Sequence, residues 1–482
     1  MKKLIYIILV SVFWVSCSED FLNLAPVSDF ADGDFYNTEE DITQALTAAY
    51  DNLQGVYGPG ENNYNLSELR SDNVYAPASV GHDENTYNID LFMVNSTNDF
   101  TEKNWDKCYH GIYRCNVVLD RIGDIEMSDN LKNQYIGEAL TLRAIQYFRL
   151  VRLFGDLPFL TTFLSIEDSY EMSRTKAADI LAQLIVDLET ASEKLPESYE
   201  NSNKGRVTKG AAQGLLGKIL VYSKEYSAAK DALGKVISSG NYKLLSDLVK
   251  VYSSTNKNNE EILFSVQYSD DKAEAEFFTP RLYPKGGGTY EDKATGKTVT
   301  FPKGGAGYCV PTKELINAFE PGDKRKDYGL QLAFTNSTGQ YIEVPFISKF
   351  RHEYASGMVS GANWPILRYA EVLLLYAEAL NETGDLQGAI DNLNKVRSRA
   401  GLANLSSSNI GNQAACREAI YKERRVELMM EGDRWFDLVR TGKAIETMAV
   451  QGFKIDDHQL IYPLPQSAID VTNNFLEQNP GY

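Results

Sequence analysis

GKILVYSKEYSAAKDALGKV (Gly217–Val236) and AEALNETGDLQGAIDNLNKV (Ala377–Val396) carry the same pattern at an offset of 160 residues. Gly217 and Ala229 in the first stretch, and Ala377 and Ala389 in the second, are small residues twelve positions apart. Leu220, Leu233 and Val236 follow at the spacing of Leu380, Leu393 and Val396. Small side chains at those two positions let a pair of antiparallel helices cross closely, and the apolar residues supply the seam between them. The turns fall at Ser223-Lys224-Glu225 and Thr383-Gly384-Asp385. A third copy over Glu138 to Phe154 has Ala144 and Tyr147 in place but Asp156 where the second small residue belongs, so it is degenerate.

Outward from this repeat, the periodicity predicts helices over 101–123, 130–154, 175–194, 207–223, 226–238, 365–382, 386–400 and 413–430. An earlier amphipathic helix is marked by Thr38 as N-cap, acidic Glu39, Glu40 and Asp41, and Ile42, Leu46, Ala49 and Leu53 on one face. The expected fold is mainly α, with tetratricopeptide-like helix pairs and an irregular loop-rich half carrying a few short β-hairpins. The loop-rich insertions fall near 55–100 and 255–310. The second contains a strand candidate, Ile262 to Val266, and the glycines 286–288 and 304–305. Stacked helix pairs imply a scaffold that binds something, and nothing finer.

The chain has 482 residues, with 48 Lys+Arg against 66 Asp+Glu, a net charge of −18 and 43% hydrophobic residues. A chain of this length buries a large core without disulfide or metal staples. Its acidity argues against nucleic acid or an anionic membrane surface as a charge-driven partner. His82, His110, His352 and His458 are too far apart for a local metal motif, and no CxxC spacing exists. Cys108 and Cys115, seven apart on one helix and so about 10 Å apart along it, are read as buried thiols on one face. Asp32-Gly33-Asp34 reads as a polar turn of the tether, with a calcium corner as the alternative. No metal and no cofactor are predicted.

Enzyme motifs fail on inspection. Gly296-Lys297-Thr298 copies the end of a phosphate-binding loop, but Glu291 stands where a glycine is required, and a hairpin turn accounts for it. Ser360 is one position late for a nucleophile elbow, and His352-Glu353 is followed by Ser356 where a zinc helix needs His. Glu427 and Glu431 lie four apart beside Arg424, Arg425 and Arg434. Those charges would hold both carboxylates ionised, whereas glycoside hydrolysis needs one acid of raised pKa. Trp435 and Phe436 are read as core anchors.

At the start of the chain, Met1-Lys2-Lys3, the apolar run Leu4 to Val15 and Ser16-Cys17 resemble a lipoprotein signal, with residues 1–16 removed and Cys17 lipidated. Twelve residues are too few to span a bilayer. The bulky Trp14 departs from the usual aliphatic at that position. Residues 17–38 read as a tether, and 39–482 as a single domain.

Several segments in order resemble the SusD/RagB family of outer-membrane nutrient-binding lipoproteins in Bacteroidota. They are Cys17 to Leu22, Trp105 to Asn116, Gly137 through Pro158, Leu367 to Leu374, Glu423 to Leu428, Gly432 to Arg440 and Gln478 to Tyr482. The match spans nearly the whole chain. The resemblance implies a non-enzymatic surface protein that captures oligosaccharides, or peptides in some branches, and serves a SusC-like TonB-dependent transporter. Ser18-Glu19-Asp20 resembles the export signal that sends such lipoproteins to the exterior face of the outer membrane.

A neutral glycan is recognised by flat aromatic faces together with amides, carboxylates and guanidinium groups. The 29 tyrosines suit a half-wet surface. Two loop regions concentrate these types. From the first, Arg70, Asp72, Asn73, Tyr75, Tyr87, Asn88 and Phe92 are candidate ligand-binding residues, with His82 among them. From the second come Arg281, Tyr283 and Tyr290, with Phe277, Lys285 and Tyr308 in the same stretch. Two alternatives stand beside the glycan reading: a peptide ligand in the same role, and a helical glycoside hydrolase.

Overall fold

The computed structural model describes residues 36–57, 64–163, 172–271, 274–350, 359–472 and 475–482. The expectations for Cys17, the signal segment, the first part of the tether, the Asp32 turn and His352 lie outside these residues.

The long helices are α1 (Glu39–Tyr57), α2 (Asp99–Arg121), α3 (Asp129–Phe154), α4 (Ala177–Lys194), α5 (Lys209–Tyr222), α6 (Tyr226–Ser238), α7 (Tyr369–Glu382), α8 (Leu386–Arg399), α9 (Gln413–Glu427) and α10 (Arg434–Arg440). From α1 to α8 each packs on the next in chain order, as a solenoid of helix pairs does. Their starts are capped as the composition demands. Asn98, Ser128, Thr208, Asp385 and Asn412 each accept a backbone N–H of the first turn.

The repeat packs as its small residues require. A Cβ on Gly217 would lie 2.4 Å from the Leu233 side chain, so α5 and α6 are in contact at that position. Leu220, Leu233, Val236, Leu380, Leu393 and Val396 are all buried. The two turns match bond for bond. Glu225 N donates to Leu220 O at 2.8 Å and Asp385 N to Leu380 O at 2.9 Å, while Lys224 N and Gly384 N donate to Val221 O and Asn381 O, both at 3.1 Å.

The irregular half is built from small antiparallel ribbons. Strand β1 (Val74–Tyr75) pairs with β5 (Val310–Pro311), and β2 (Ile262–Val266) with β10 (Trp364–Arg368). A four-stranded sheet has the order β4-β3-β7-β8, from β3 (Gly288–Asp292), β4 (Lys297–Phe301), β7 (Phe334–Asn336) and β8 (Tyr341–Ile342). The remaining pair is β6 (Leu330–Gln331) with β9 (Phe346–Ile347). Gly296, at φ +68, sits in the β3–β4 hairpin turn, which accounts for the Gly-Lys-Thr sequence. One boundary differs from the periodicity. Residues 365–368 are strand, and helix begins at Tyr369, because Pro365 within Trp364–Arg368 disfavours helix and β2 offers that segment a partner.

Cys108 and Cys115 are both buried free thiols. Among the described residues no helix is long and apolar enough to cross a membrane, and no cluster of metal-ligating side chains occurs.

Candidate functional site

The short ladder Val74↔Pro311, Tyr75↔Val310 brings the two loop regions together. Beyond it, Lys285 Nζ donates to Val80 O, Tyr308 N to Arg281 O at 3.0 Å, and Gly307 N to Tyr283 O at 2.8 Å. The ring of His82, from the first loop, lies 4.5 Å from that of Tyr308, from the second, and 5.5 Å from that of Tyr87. Tyr87 Oη accepts from His82 N at 3.2 Å. Burial lowers the His82 pKa, with Asp83 opposing and Lys285 assisting. Tyr75, paired in the ladder with Val310 two residues after Tyr308, has 42% of its surface exposed. Tyr87, Asn88, Arg281, Lys285 and Tyr308 are partly or fully exposed. Together these residues form an aromatic and polar surface contributed by both loops.

The other candidates take different places. Tyr283 and Tyr290 are 2% and 4% exposed and pack with Phe301, Phe334 and Phe346 as the aromatic core of the small sheet. Tyr283 stacks on Phe301 at 5.1 Å. Alternation along β3 turns Tyr290 and Asp292 inward and Glu291 outward, and the sequence does not state which face is covered. Arg70 is fully buried, its guanidinium over the rings of Tyr462, Phe92 and Trp435 at 4.2, 4.7 and 5.4 Å, with Nη2 donating to Gln459 O. Phe92, at φ +58, is buried in the same stack. Asp72 accepts from Arg434 Nε and Nη2 at 2.7 and 3.0 Å and pairs with Arg425 at 2.9 Å. Asn73 accepts from Arg425 and donates to Glu68. These six side chains are buried and engaged with partners of their own.

The charged segment Glu423 to Arg440 is structural. Arg368, 1% exposed, meets Glu427 at 2.6 Å, Glu431 at 2.6 Å and Glu261 at 3.0 Å. Arg399, Arg325 and Lys349 complete the cluster. Burial acts to raise the Glu427 and Glu431 pKa values, but Arg399, Arg368 and Arg325 hold Glu427 well below the usual range, and Arg368 and Lys349 lower Glu431. The cations differ from those next to them in sequence: Arg425 and Arg434 serve Asp72, and Arg424 serves Glu371 and Asp437. Neither carboxyl has the raised pKa that a general acid needs. Trp435 and Phe436 are buried core residues.

Gly432, Asp433 and Arg434 each reach a separate earlier element. Gly432 N donates to Glu68 Oε1 at 3.0 Å, Asp433 pairs with Arg152 at 2.9 Å and Lys218 at 2.7 Å, and Arg434 holds Asp72.

A helical solenoid joined to a loop-rich half, with a surface built from both loop insertions, defines a binding scaffold. A family model described as "SusD family" matches residues 239–482, and one described as "Starch-binding associating with outer membrane" matches 20–221. The chain belongs to the SusD family. It is 28% identical to SusD-like protein P38 of Formosa agariphila, over 99% of this chain and 98% of that protein. A SusD-like protein of Bacteroides fragilis superposes with a TM-score of 0.78 at 27% identity, covering 95% of this chain and all of that one. A laminarin-binding SusD-like protein superposes at 0.79 and 26% identity, covering 93% of this chain and all of that one.

Proposed function

We propose that this protein is a surface-anchored, non-catalytic glycan-binding lipoprotein that captures oligosaccharides and delivers them to a SusC-like TonB-dependent transporter of the outer membrane. The observation that carries the reading is the meeting of His82, Tyr87 and Tyr308, on loops from distant parts of the chain joined by the ladder that holds the exposed Tyr75. Flat rings with polar edges are what a sugar's apolar face and hydroxyls require. Tyr75, Tyr87, Asn88, Arg281 and Tyr308 are the contacts assigned to ligand, and Cys17 is the assigned lipid attachment. The likeness to a laminarin-binding protein over most of both chains supports a glucan or a related neutral glycan as ligand.

The test is isothermal titration and affinity electrophoresis of residues 18–482 against plant, host and microbial polysaccharides, with a peptide digest alongside. Binding of one glycan class without chain shortening supports the reading. Binding of the digest alone moves the ligand to peptide, and release of shortened sugars makes the protein an enzyme.

A further inference from the structure

We propose that the groove where β3 and β7 part is a second binding site for a neutral polysaccharide, with the exposed ring of Tyr341 as its platform, so that one polymer is held at two places on the protein. The inference rests on the glycan reading above and adds a site apart from the surface of Tyr75, Tyr87 and Tyr308.

The groove follows from the strand register. Along its whole length β3 pairs with β4, but it meets β7 only at Gly288↔Asn336 and Thr289↔Thr335. The chain just before β7 is drawn to β9 instead, through Leu330↔Ile347 and Gln331↔Phe346, so it leaves the neighbouring edge of residues 290–292. A groove of about 400 Å³ opens there, lined by Thr289, Glu291, Leu332, Thr335 and Tyr341, among others. Residues opposite each other in an antiparallel ladder share a face. Thr300, Thr289, Thr335 and Tyr341 are opposite one another in turn, and so form one row across all four strands. Alternation puts Tyr290, Phe301 and Phe334 on the other face, in the aromatic core, which leaves the row facing outward.

The side chains of this row are not used by the fold. Tyr341 is 69% exposed, and among the described residues no ring contact, ion pair or hydrogen bond engages its side chain. The hydroxyls of Thr289, Thr300 and Thr335 likewise make no hydrogen bond among those residues. Leu332, 49% exposed, adds apolar surface to the groove. A flat ring with a polar tip beside a line of hydroxyls suits the apolar face and the hydroxyl edge of a sugar. The charged lining consists of Glu291 and Asp327 against Lys293 and Lys326, which sum to zero, so the groove fits an uncharged chain and gives an acidic one no advantage. It also continues the loop surface. Thr289 is four residues, and so at most about 14 Å, from Lys285, whose Nζ donates to Val80 O of the first loop. One long glycan can reach both places, and the second contact then forms at the high effective concentration set by the first.

The test is affinity electrophoresis of the chain from residue 18 onward in gels cast with neutral laminarin, starch, xylan or galactomannan, or with acidic pectin or hyaluronan. For the neutral polymer that retards the native chain, Tyr341→Ala is expected to weaken binding about tenfold, the scale of one aromatic anchor. Thr335→Val, which removes one hydroxyl and keeps the shape, should weaken it about threefold. The double variant Tyr87→Ala with Tyr341→Ala should run unretarded. Both groove positions face outward, so melting temperatures should stay close to the native one. Hydrogen exchange at residues 288–293 and 332–342 should slow when the polymer is added. Unchanged retardation in both groove variants, with loss in Tyr87→Ala, overturns the second site and leaves the glycan reading intact. Loss in Tyr341→Ala with none in Tyr87→Ala supports the groove and overturns the loop surface. Retardation by acidic polymers alone, or slowed exchange in the groove with a peptide digest and with no glycan, overturns the proposal, and silence toward every polymer overturns both readings.

Discussion

Lys224 and Gly384 stand at the same point of the two repeats, and both backbones are left-handed, at φ +64 and +89. The turn geometry requires this, since each N–H there closes the same hydrogen bond. Glycine adopts such angles freely, whereas lysine carries a Cβ that resists them. Lys224→Gly is therefore expected to raise stability, by up to about 1 kcal/mol, and Gly384→Lys to lower it by a similar amount. Denaturant unfolding of the two variants checks the pair, and loss of stability in Lys224→Gly would refute the account.

Arg368 satisfies three buried carboxylates at once. Replacing it by Met leaves Glu261, Glu427 and Glu431 with less positive charge than they were folded around, which costs about 3–5 kcal/mol. Arg417→Met, at a half-exposed pair with Glu382, should cost about 1 kcal/mol or less. Thermal melts of the two variants should differ accordingly, and similar small losses in both would show that the network contributes little.

Glu68 and Asp90 run against this pattern, because among the described residues no cation lies within ion-pair distance of either. Burial raises both to about 7, opposed at Glu68 by donors from Asn73 and Gly432 and at Asp90 by Ala76 N. A carboxyl whose folded pKa exceeds its unfolded value contributes stability below about pH 4 that is lost as pH rises through about 7, on the order of 3 kcal/mol each. Glu427, Glu431 and Asp437, held low, contribute in the opposite sense and are lost on acidification. The melting temperature should thus peak near pH 5 and fall toward pH 8. Asp90→Asn should gain stability over the native chain at pH 8 and show no gain at pH 4.5, and a gain equal at both would rule out titration as the cause.

The tyrosines divide into two groups. Tyr75→Ala and Tyr87→Ala should weaken glycan binding about tenfold with small changes in melting temperature, while Tyr283→Ala and Tyr290→Ala should cost about 3 kcal/mol or more of stability through the small sheet's core. Reversed outcomes would place the ligand elsewhere.

The helices and the repeat were legible because period and small-residue spacing are local properties, and Gly217 against Leu233 is what that spacing demands. The loops were legible in composition but not in orientation. Arg70, Asp72 and Asn73 have the residue types of a sugar site, yet buried ion pairs and ring stacks use the same types, and their partners Arg425, Arg434 and Tyr462 lie more than 350 positions away. That the two loop regions meet depends on the pairing of β1 with β5, two strands of two residues each, too short to leave a periodic mark. The sequence sets Arg425 and Arg434 beside Glu427 and Glu431, and that both serve Asp72 instead is visible only once the fold has brought Asp72 to them.

Three consecutive residues, Gly432 to Arg434, fasten the later half of the chain to Glu68, Asp72, Arg152 and Lys218 of the earlier half. A backbone cut at the exposed turn of Gly240, near the border between the two family-model matches, would leave fragments whose buried charges have their partners on the other piece. These cross-connections predict that the two halves behave as a single folding unit. The severed halves should travel together through purification and, once parted, refold only in each other's presence.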